Sequence, residues 1–192
     1  MSEFIWLENS RVRLEPLTTE HIDNLLPYAT NPKLWRGNNT IKITGRDDLE
    51  QYVQTALKER DSGQSIPFAV FDKKMNVYAG STRFANIVWE HKRIEIGWTW
   101  IGQEFQGSGL NKAMKYELLN YCFEELLMNR VELKTNELNN QSRQAILSLG
   151  AKEEGVLRNH MIMYDGKLRN TVYYSITKEE WPMVKEKLQN RF

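Results

Sequence analysis

The sequence predicts an α+β, or mixed α/β, domain built on one sheet. Three features of the chain lead there. Its 192 residues make one domain at roughly 150 residues per domain, and no break in composition marks a linker. Strand-like and helix-like periodicities alternate along the whole length. The middle, Ile66 to Ile101, holds three β-rich runs joined only by short polar turns, the pattern of antiparallel neighbours. Residues 1–192 are therefore expected to form a single domain.

The elements follow in order. Arg11 to Leu17 alternates apolar and polar residues and reads as a strand, with Pro16 placing its end at a sheet edge or beyond it. A short helix is expected from about Glu20 to Tyr28, then a turn at Asn31-Pro32. Thr44 stands three residues before Asp47, close to a capping box, and Leu49, Tyr52, Val53, Ala56 and Leu57 carry helical spacing behind it. Ser62-Gly63-Gln64 ends that helix. Strands are expected at Ile66–Phe71, Val77–Ile87 and Arg93–Ile101, with loops at Asp72–Asn76 and Glu90–Lys92. A glycine-rich loop, Gln106 to Asn111, opens a helix whose apolar stripe is Met114, Leu118, Cys122 and Leu126, widened by Leu119, Phe123 and Leu127. Val131–Thr135 alternates as a further strand. Asn139 to Ser142 opens a short helix with Ala145, Ile146 and Leu149 inward, stopped by Gly150. Asn159–Tyr164 and Thr171–Ile176 flank Asp165-Gly166 and read as a hairpin. Thr177 with Glu180 forms a second capping box, but Pro182 favours a first helical position, so the last helix starts at one or the other.

Composition excludes several classes. With 26 basic and 25 acidic residues the net charge is +1, which disfavours a protein that binds nucleic acid directly. The single cysteine, Cys122, forms no internal disulfide and no cysteine-rich zinc site, and on an apolar stripe it reads as a core residue. His21, His91 and His160 match no metal-ligand spacing. No apolar run approaches the roughly 18 residues of a membrane span, and Met1 to Asn9 lacks the basic start and apolar stretch of a signal peptide. A cytoplasmic protein without membrane partners is expected.

The chemistry concentrates in the strand, glycine loop and helix from Arg93 to Met128. Two glycines let backbone N–H groups approach a phosphate, where a side chain would block them, and the helix N-terminus adds partial positive charge. No Gly-Lys-Ser/Thr follows, so this is not a Walker A loop, and the third glycine of a dinucleotide fingerprint is missing. On the preceding strand, alternation places Glu95, Gly97, Thr99 and Ile101 on one face and Ile94, Ile96, Trp98 and Trp100 on the other. Glu95 has three readings: an ion pair across the sheet, a substrate contact, or a general base that takes a proton from a substrate ammonium, with Gly97 leaving room beside it. Asn139 reads as a helix cap. Trp35, Trp89, Tyr164, Tyr173 and Tyr174 are candidates for an acceptor groove, though packing accounts for any one of them.

These segments together resemble the GCN5-related N-acetyltransferases (GNAT), and within them the RimJ/RimL-type protein acetyltransferases. Gln106, Gly109 and Asn111 occupy the fixed positions of the family's Gln/Arg-x-x-Gly-x-Gly/Ala loop, with Gly107, Ser108 and Leu110 between; Asn111 departs from the small residue expected. Arg11 to Leu17 is similar to the opening strand and Ile94 to Trp98 to an E-I-G-Y/W strand. Asn139 to Ser142 resembles an N-x-x-S helix start, and Leu149-Gly-Ala151 with Glu154-Gly155 an L-G-[FA]…E-G turn. Arg158, Asp165-Gly166 and Glu180-Trp181-Pro182 match the closing region.

The resemblance implies a mostly antiparallel sheet whose two parallel strands, Arg93–Ile101 and Val131–Thr135, splay to admit acetyl-CoA as co-substrate. It implies pyrophosphate binding at Gln106 to Asn111. Thr99, Trp100 and Ile101 would hold the pantetheine arm and direct a backbone N–H at the thioester oxygen. Asn139 would touch the same arm, and Ser142 would sit near the thiol. Glu95 stands six residues before Ile101, the spacing of the catalytic glutamate in the GCN5-like histone acetyltransferases of that family. A tyrosine acid known in relatives is replaced by Ile146. The implied reaction is acetyl transfer to a primary amine, either a ribosomal-type protein N-terminus or a small amine such as a polyamine, amino sugar or amino acid. A non-catalytic acetyl-CoA-binding regulator on the same fold is the third reading. The resemblance also allows a homodimer.

Overall fold

The sheet has eight strands, and the computed structural model describes residues 5–35 and 40–189. In chain order the elements are β1 (Leu7–Glu8), β2 (Val12–Pro16), α1 (Ile22–Ala29), α2 (Arg46–Asp61), β3 (Ser65–Asp72), β4 (Val77–Val88) and β5 (Arg93–Ile101). Then come α3 (Leu110–Asn120), β6 (Arg130–Asn136), α4 (Asn140–Leu149), β7 (Lys152–Ile162), β8 (Leu168–Thr177) and α5 (Trp181–Gln189). The strand order is β1-β2-β3-β4-β5-β6-β8-β7. Every neighbouring pair is antiparallel except β5 and β6. That parallel pair is short. Arg93, Ile94 and Glu95 face Arg130, Val131 and Glu132, and no pairing continues beyond Glu95. The expected splay is present, and it begins at the glutamate.

The two faces of the sheet are covered differently. On one, Met114, Leu118 and Leu119 of α3, Ile146 and Leu149 of α4, and Val184 and Leu188 of α5 pack with Ile94, Ile96, Val131, Val172, Tyr174 and Ile176. On the other, Leu25 and Ala29 of α1 and Leu49, Val53 and Ala56 of α2 pack with Ala69 and Trp100. These two helices lie over β3 and β4. The same face of β6 and β8 instead carries Glu132, Lys134, Tyr173 and Ser175, polar groups opposite one another across the strand pair. The sheet therefore offers one half-open polar face next to the splay.

Several expected boundaries shift, each for a local reason. Gly45 rather than Thr44 is the N-cap of α2, and Thr44 bonds Asp48 through its backbone N–H (2.7 Å) and hydroxyl (2.5 Å); Asp47 takes no part. The α3 stripe holds through Cys122 and Phe123, but Tyr121–Glu125 forms a π-helical turn. Its extra residue rotates the side chains after it about the helix axis. Leu127 is turned out at φ 52, Leu126 is only partly buried, and Met128 enters the core. The C-terminal hairpin is longer than expected. β7 is an edge strand exposed along its length, so hydrophobic alternation does not outline it. Its register shifts between Glu153 and Gly155 and again between Leu157 and Met161. Helix α5 starts at Trp181 with Pro182 next, while the Thr177 N–H donates to Glu180 Oε2 at 2.9 Å, keeping half of the second capping box.

Candidate active site

Strand β5 carries a β-bulge where the sheet opens. Three steps of β5, Gly97 to Trp100, lie opposite two of β4, Arg83 to Ser81, and Trp98 has φ 49. One inserted residue sends every later side chain to the opposite face. The expected face of Glu95, Gly97, Thr99 and Ile101 is therefore divided. Ile101 joins Ile94 and Ile96 in the core under α3, and Thr99 turns to α3 with it. Trp100 enters the second core, so its side chain is packing. Glu95 and Gly97 stay together: a Cβ on Gly97 would come within 3.0 Å of Glu95 Oε1. Beyond Glu95, the edge of β5 that faces β6 has no strand partner. Backbone groups of the bulge are thus offered to the gap.

The glycine loop follows directly. Gly107 and Gly109 sit at φ 74 and φ 88, angles that only glycine adopts without strain. A Cβ on either would meet nothing within 4 Å, so the space beside them is open to a ligand rather than filled by protein. Gly109 is the N-cap of α3 and supplies no side-chain cap. The first N–H groups of α3 have no intrahelical acceptor. They converge with the helix dipole on one point, an arrangement that fits a pyrophosphate. Gln106 braces the loop, donating to Ile101 O (3.2 Å) and accepting from Gln141 of α4 (2.9 Å). Asn111 is the second residue of α3 and half-buried.

Across the gap, Asn139 caps α4, accepting from the Ser142 N–H at 3.0 Å. The capping reading holds. Among the described residues the Asn139 amide nitrogen and the Ser142 hydroxyl make no hydrogen bond. Both remain available beside the splay.

Glu95 is buried and partnered. Its Oε2 accepts from Lys134 Nζ (2.7 Å) and Asn86 Nδ2 (2.6 Å), while Oε1 accepts nothing among the described residues. Lys134 also lies 3.3 Å from Glu132 and over the Tyr173 ring at 4.5 Å. Burial alone pulls the Lys134 ammonium down, and the Glu95 and Glu132 carboxylates more than reverse it. The cross-sheet ion pair considered for Glu95 exists, and one oxygen is left free toward Gly97.

Other groups at the site gave no sequence signal. Lys115, buried on α3, donates to Thr99 Oγ1 at 2.7 Å, and Thr99 in turn lies 2.8 Å from Thr82 Oγ1. Burial lowers Lys115 to about 7, opposed by the charge of Glu95. Only its place beside an apolar stripe, between Met114 and Leu118, hinted that it points inward. Lys134 lies on β6, whose neighbours β5 and β8 no turn in the sequence reveals, and Asn86 and Arg169 lie on hairpin strands without a pattern that marks them as site residues. Of the aromatic candidates, Trp35 and Tyr174 are core residues, Trp89 and Tyr164 are exposed, and Tyr173 borders Lys134. Cys122 is fully buried and burial pushes its thiol up, which suits a core residue and not a nucleophile. No group of metal-ligating side chains occurs, and no helix is long and apolar enough to cross a membrane, among the described residues.

A splayed parallel strand pair, a bulge beside it and a helix N-terminus behind a glycine loop, where the Leu110 N–H meets only Ser108 Oγ at 3.4 Å, form the frame of an acyltransferase. The chain belongs to the acetyltransferase (GNAT) domain family, whose model matches residues 11–152, and it is an N-acetyltransferase of that family. GNAT enzymes use acetyl-CoA. The chain is 27% identical to an uncharacterized N-acetyltransferase p20 of Bacillus licheniformis, over 91% of this chain and 97% of that one. It is 25% identical to the [ribosomal protein uS5]-alanine N-acetyltransferase of Escherichia coli (strain K12), over 62% of this chain and 61% of that protein. The crystal structure of a GCN5-related N-acetyltransferase from Brucella melitensis superposes with a TM-score of 0.88 at 27% identity, covering 96% of this chain and 84% of that one.

Proposed function

We propose that the enzyme transfers acetyl directly from acetyl-CoA to a primary amine, and that the amine is a protein N-terminus of the ribosomal type. The observation that carries the transfer is the free Oε1 of a buried glutamate, beside Gly97, where the sheet opens. The acceptor class is supported by the similarity to the uS5-alanine enzyme. In this reading the loop from Gln106 to Asn111 takes the pyrophosphate. The free edge of β5 at Thr99 to Ile101, with Asn139 and Ser142 opposite, takes the pantetheine arm. A backbone N–H on that edge stabilises the oxyanion.

The amine nitrogen attacks the thioester carbonyl carbon. Its proton passes to Glu95, directly or through a water, and the C–S bond breaks. The CoA thiolate leaves without a tyrosine acid, since Ile146 is in the core. A thiol pKa of about 8.5 makes it a fair leaving group. Holding both reactants in line supplies much of the rate. We place the enzyme in the cytoplasm, where a single buried thiol stays reduced.

The test is thiol release from acetyl-CoA against a panel of N-terminal peptides, polyamines, amino sugars and amino acids, with mass spectrometry locating the acetyl group. Acetylated peptide α-amines are expected. Acetylation of small amines alone rejects the acceptor class. Acetyl-CoA binding without thiol release from any amine rejects the transfer.

A further inference from the structure

Beside Glu95 stands a guanidinium with nothing to hold. Val172, Tyr174 and Ile176 of β8 enter the core, so alternation turns Arg169, Thr171, Tyr173 and Ser175 to the half-open face. Tyr173 lies opposite Lys134 on that face, and Arg169 is close enough for the charges of Glu95 and Tyr173 to act on it. Among the described residues the Arg169 side chain makes no ion pair and no hydrogen bond, and its Nε is buried without a partner. The next residue on the same row shows the same thing: Thr171 is 1% exposed and its Oγ1 has no partner. Buried polar atoms are almost always paired, so two same-face neighbours left unpaired together need an explanation. Glu95 does not supply it: its Oε2 is held by Lys134 and Asn86, and its Oε1, turned to Gly97, makes no bond to Arg169.

Both atoms can donate, and one belongs to a permanent cation, so the missing partner is an anionic acceptor. A guanidinium fork beside a hydroxyl suits the planar, singly charged carboxylate. A doubly charged phosphate would add excess negative charge next to Glu95 and Glu132. We propose that Arg169 and Thr171 form a subsite that selects acceptors carrying a carboxylate close to the reacting amine. This rests on the reading above that the amine is delivered at Glu95. Such a carboxylate comes from an acidic first residue of a protein or from the α-carboxylate of a free amino acid.

The experiment compares acceptors matched except for that charge. One arm uses peptides beginning with Asp or Glu against the same peptides beginning with Asn or Gln. The other uses free amino acids against their amides. Each set is measured twice, by kcat/KM with acetyl-CoA and by calorimetric binding without it. The acid is expected to be favoured about 10- to 100-fold in one arm, the size of a charge-assisted hydrogen bond, and the arm that shows it names the source. Arg169→Met is expected to bring acid and amide to the same value, and Arg169→Lys to restore part of the ratio. Thermal unfolding confirms that each variant folds, and the wild-type ratio stands as a test if one does not. Equal values for acid and amide in wild type overturn the subsite, as does a ratio that survives Arg169→Met. Discrimination in binding with no turnover of any acceptor supports the subsite and overturns the transfer reading instead.

Discussion

Replacing Lys115 by methionine is expected to stabilise the protein, with a pH dependence that identifies the cause. Lys115 is buried, and its ammonium has Thr99 Oγ1 as its hydrogen-bond partner. Burial lowers it from 10.5 to about 7, a gap of roughly 3.5 units at about 1.4 kcal/mol each, so about 5 kcal/mol. A depressed lysine disfavours the charged form in the folded state. Below pH 7 the group is charged both folded and unfolded, and the whole penalty is present. Between 7 and 10.5 the unfolded chain binds more protons, so stability rises with pH. Above 10.5 the penalty is gone. Methionine fills similar volume without charge, and losing the bond to Thr99 costs about 1 kcal/mol. The net gain at pH 6 is then roughly 3–4 kcal/mol, shrinking to nothing or slightly reversing by pH 10. Urea unfolding of both proteins at pH 6, 8 and 10 measures this. A variant no more stable than wild type at pH 6, or a difference that does not change with pH, refutes the desolvated-ammonium account.

Three further substitutions test the site. Glu95→Gln keeps size and can still accept from Lys134, so kcat at pH 7 should fall about 10²–10⁴-fold if Glu95 is the base, the loss shrinking at high pH where free amine is abundant. Near-normal kcat at pH 7 with unchanged acetyl-CoA affinity would end that assignment. Gly109→Val puts a branched residue at φ 88 and a side chain into the open space before α3. Acetyl-CoA binding by calorimetry should weaken at least about tenfold if the loop N–H groups hold the pyrophosphate. Asn139→Ala removes the α4 cap, costing about 1 kcal/mol. If the free amide nitrogen also meets the pantetheine arm, the KM for acetyl-CoA rises as well, and a loss of stability with KM unchanged leaves Asn139 as a cap alone.

The elements were legible wherever one periodicity ran uninterrupted. Arg93–Ile101 matched to the residue, and the Asn139 cap and the Gly150 stop of α4 were as expected. Reading failed where the backbone changed its period. The bulge at Trp98 and the π-helical turn at Tyr121 each insert one residue, and a pattern counted at period 2 or 3.6 carries straight across them. Positive φ at Trp98 has no marker in the sequence, since tryptophan is an unusual residue there. The pairing of Glu95 with Lys134 was out of reach for another reason. It depends on the register of the one parallel pair, Glu95 beside Glu132, and a parallel crossover leaves no turn between its strands from which to count register.

The misread bulge also gives the site its two sides. Had alternation continued, Glu95 and Thr99 would share a face and compete for one space. The inserted residue sends Thr99 to the α3 side with Lys115 and leaves Glu95 on the half-open side with Lys134, Tyr173 and Arg169. A thioester in the gap would then meet α3 and its loop from one side and the acceptor from the other. Neither group could serve both reactants. The polar groups that are expensive to bury gather at this step in the sheet: Glu95, Lys115 and the unpaired Arg169 and Thr171. Lys134 and Asn86 offset the burial of Glu95, whereas burying Lys115, Arg169 and Thr171 weakens folding, and an interaction with bound reactants would offset that cost. The pH-dependent gain expected from Lys115→Met measures one part of that cost directly.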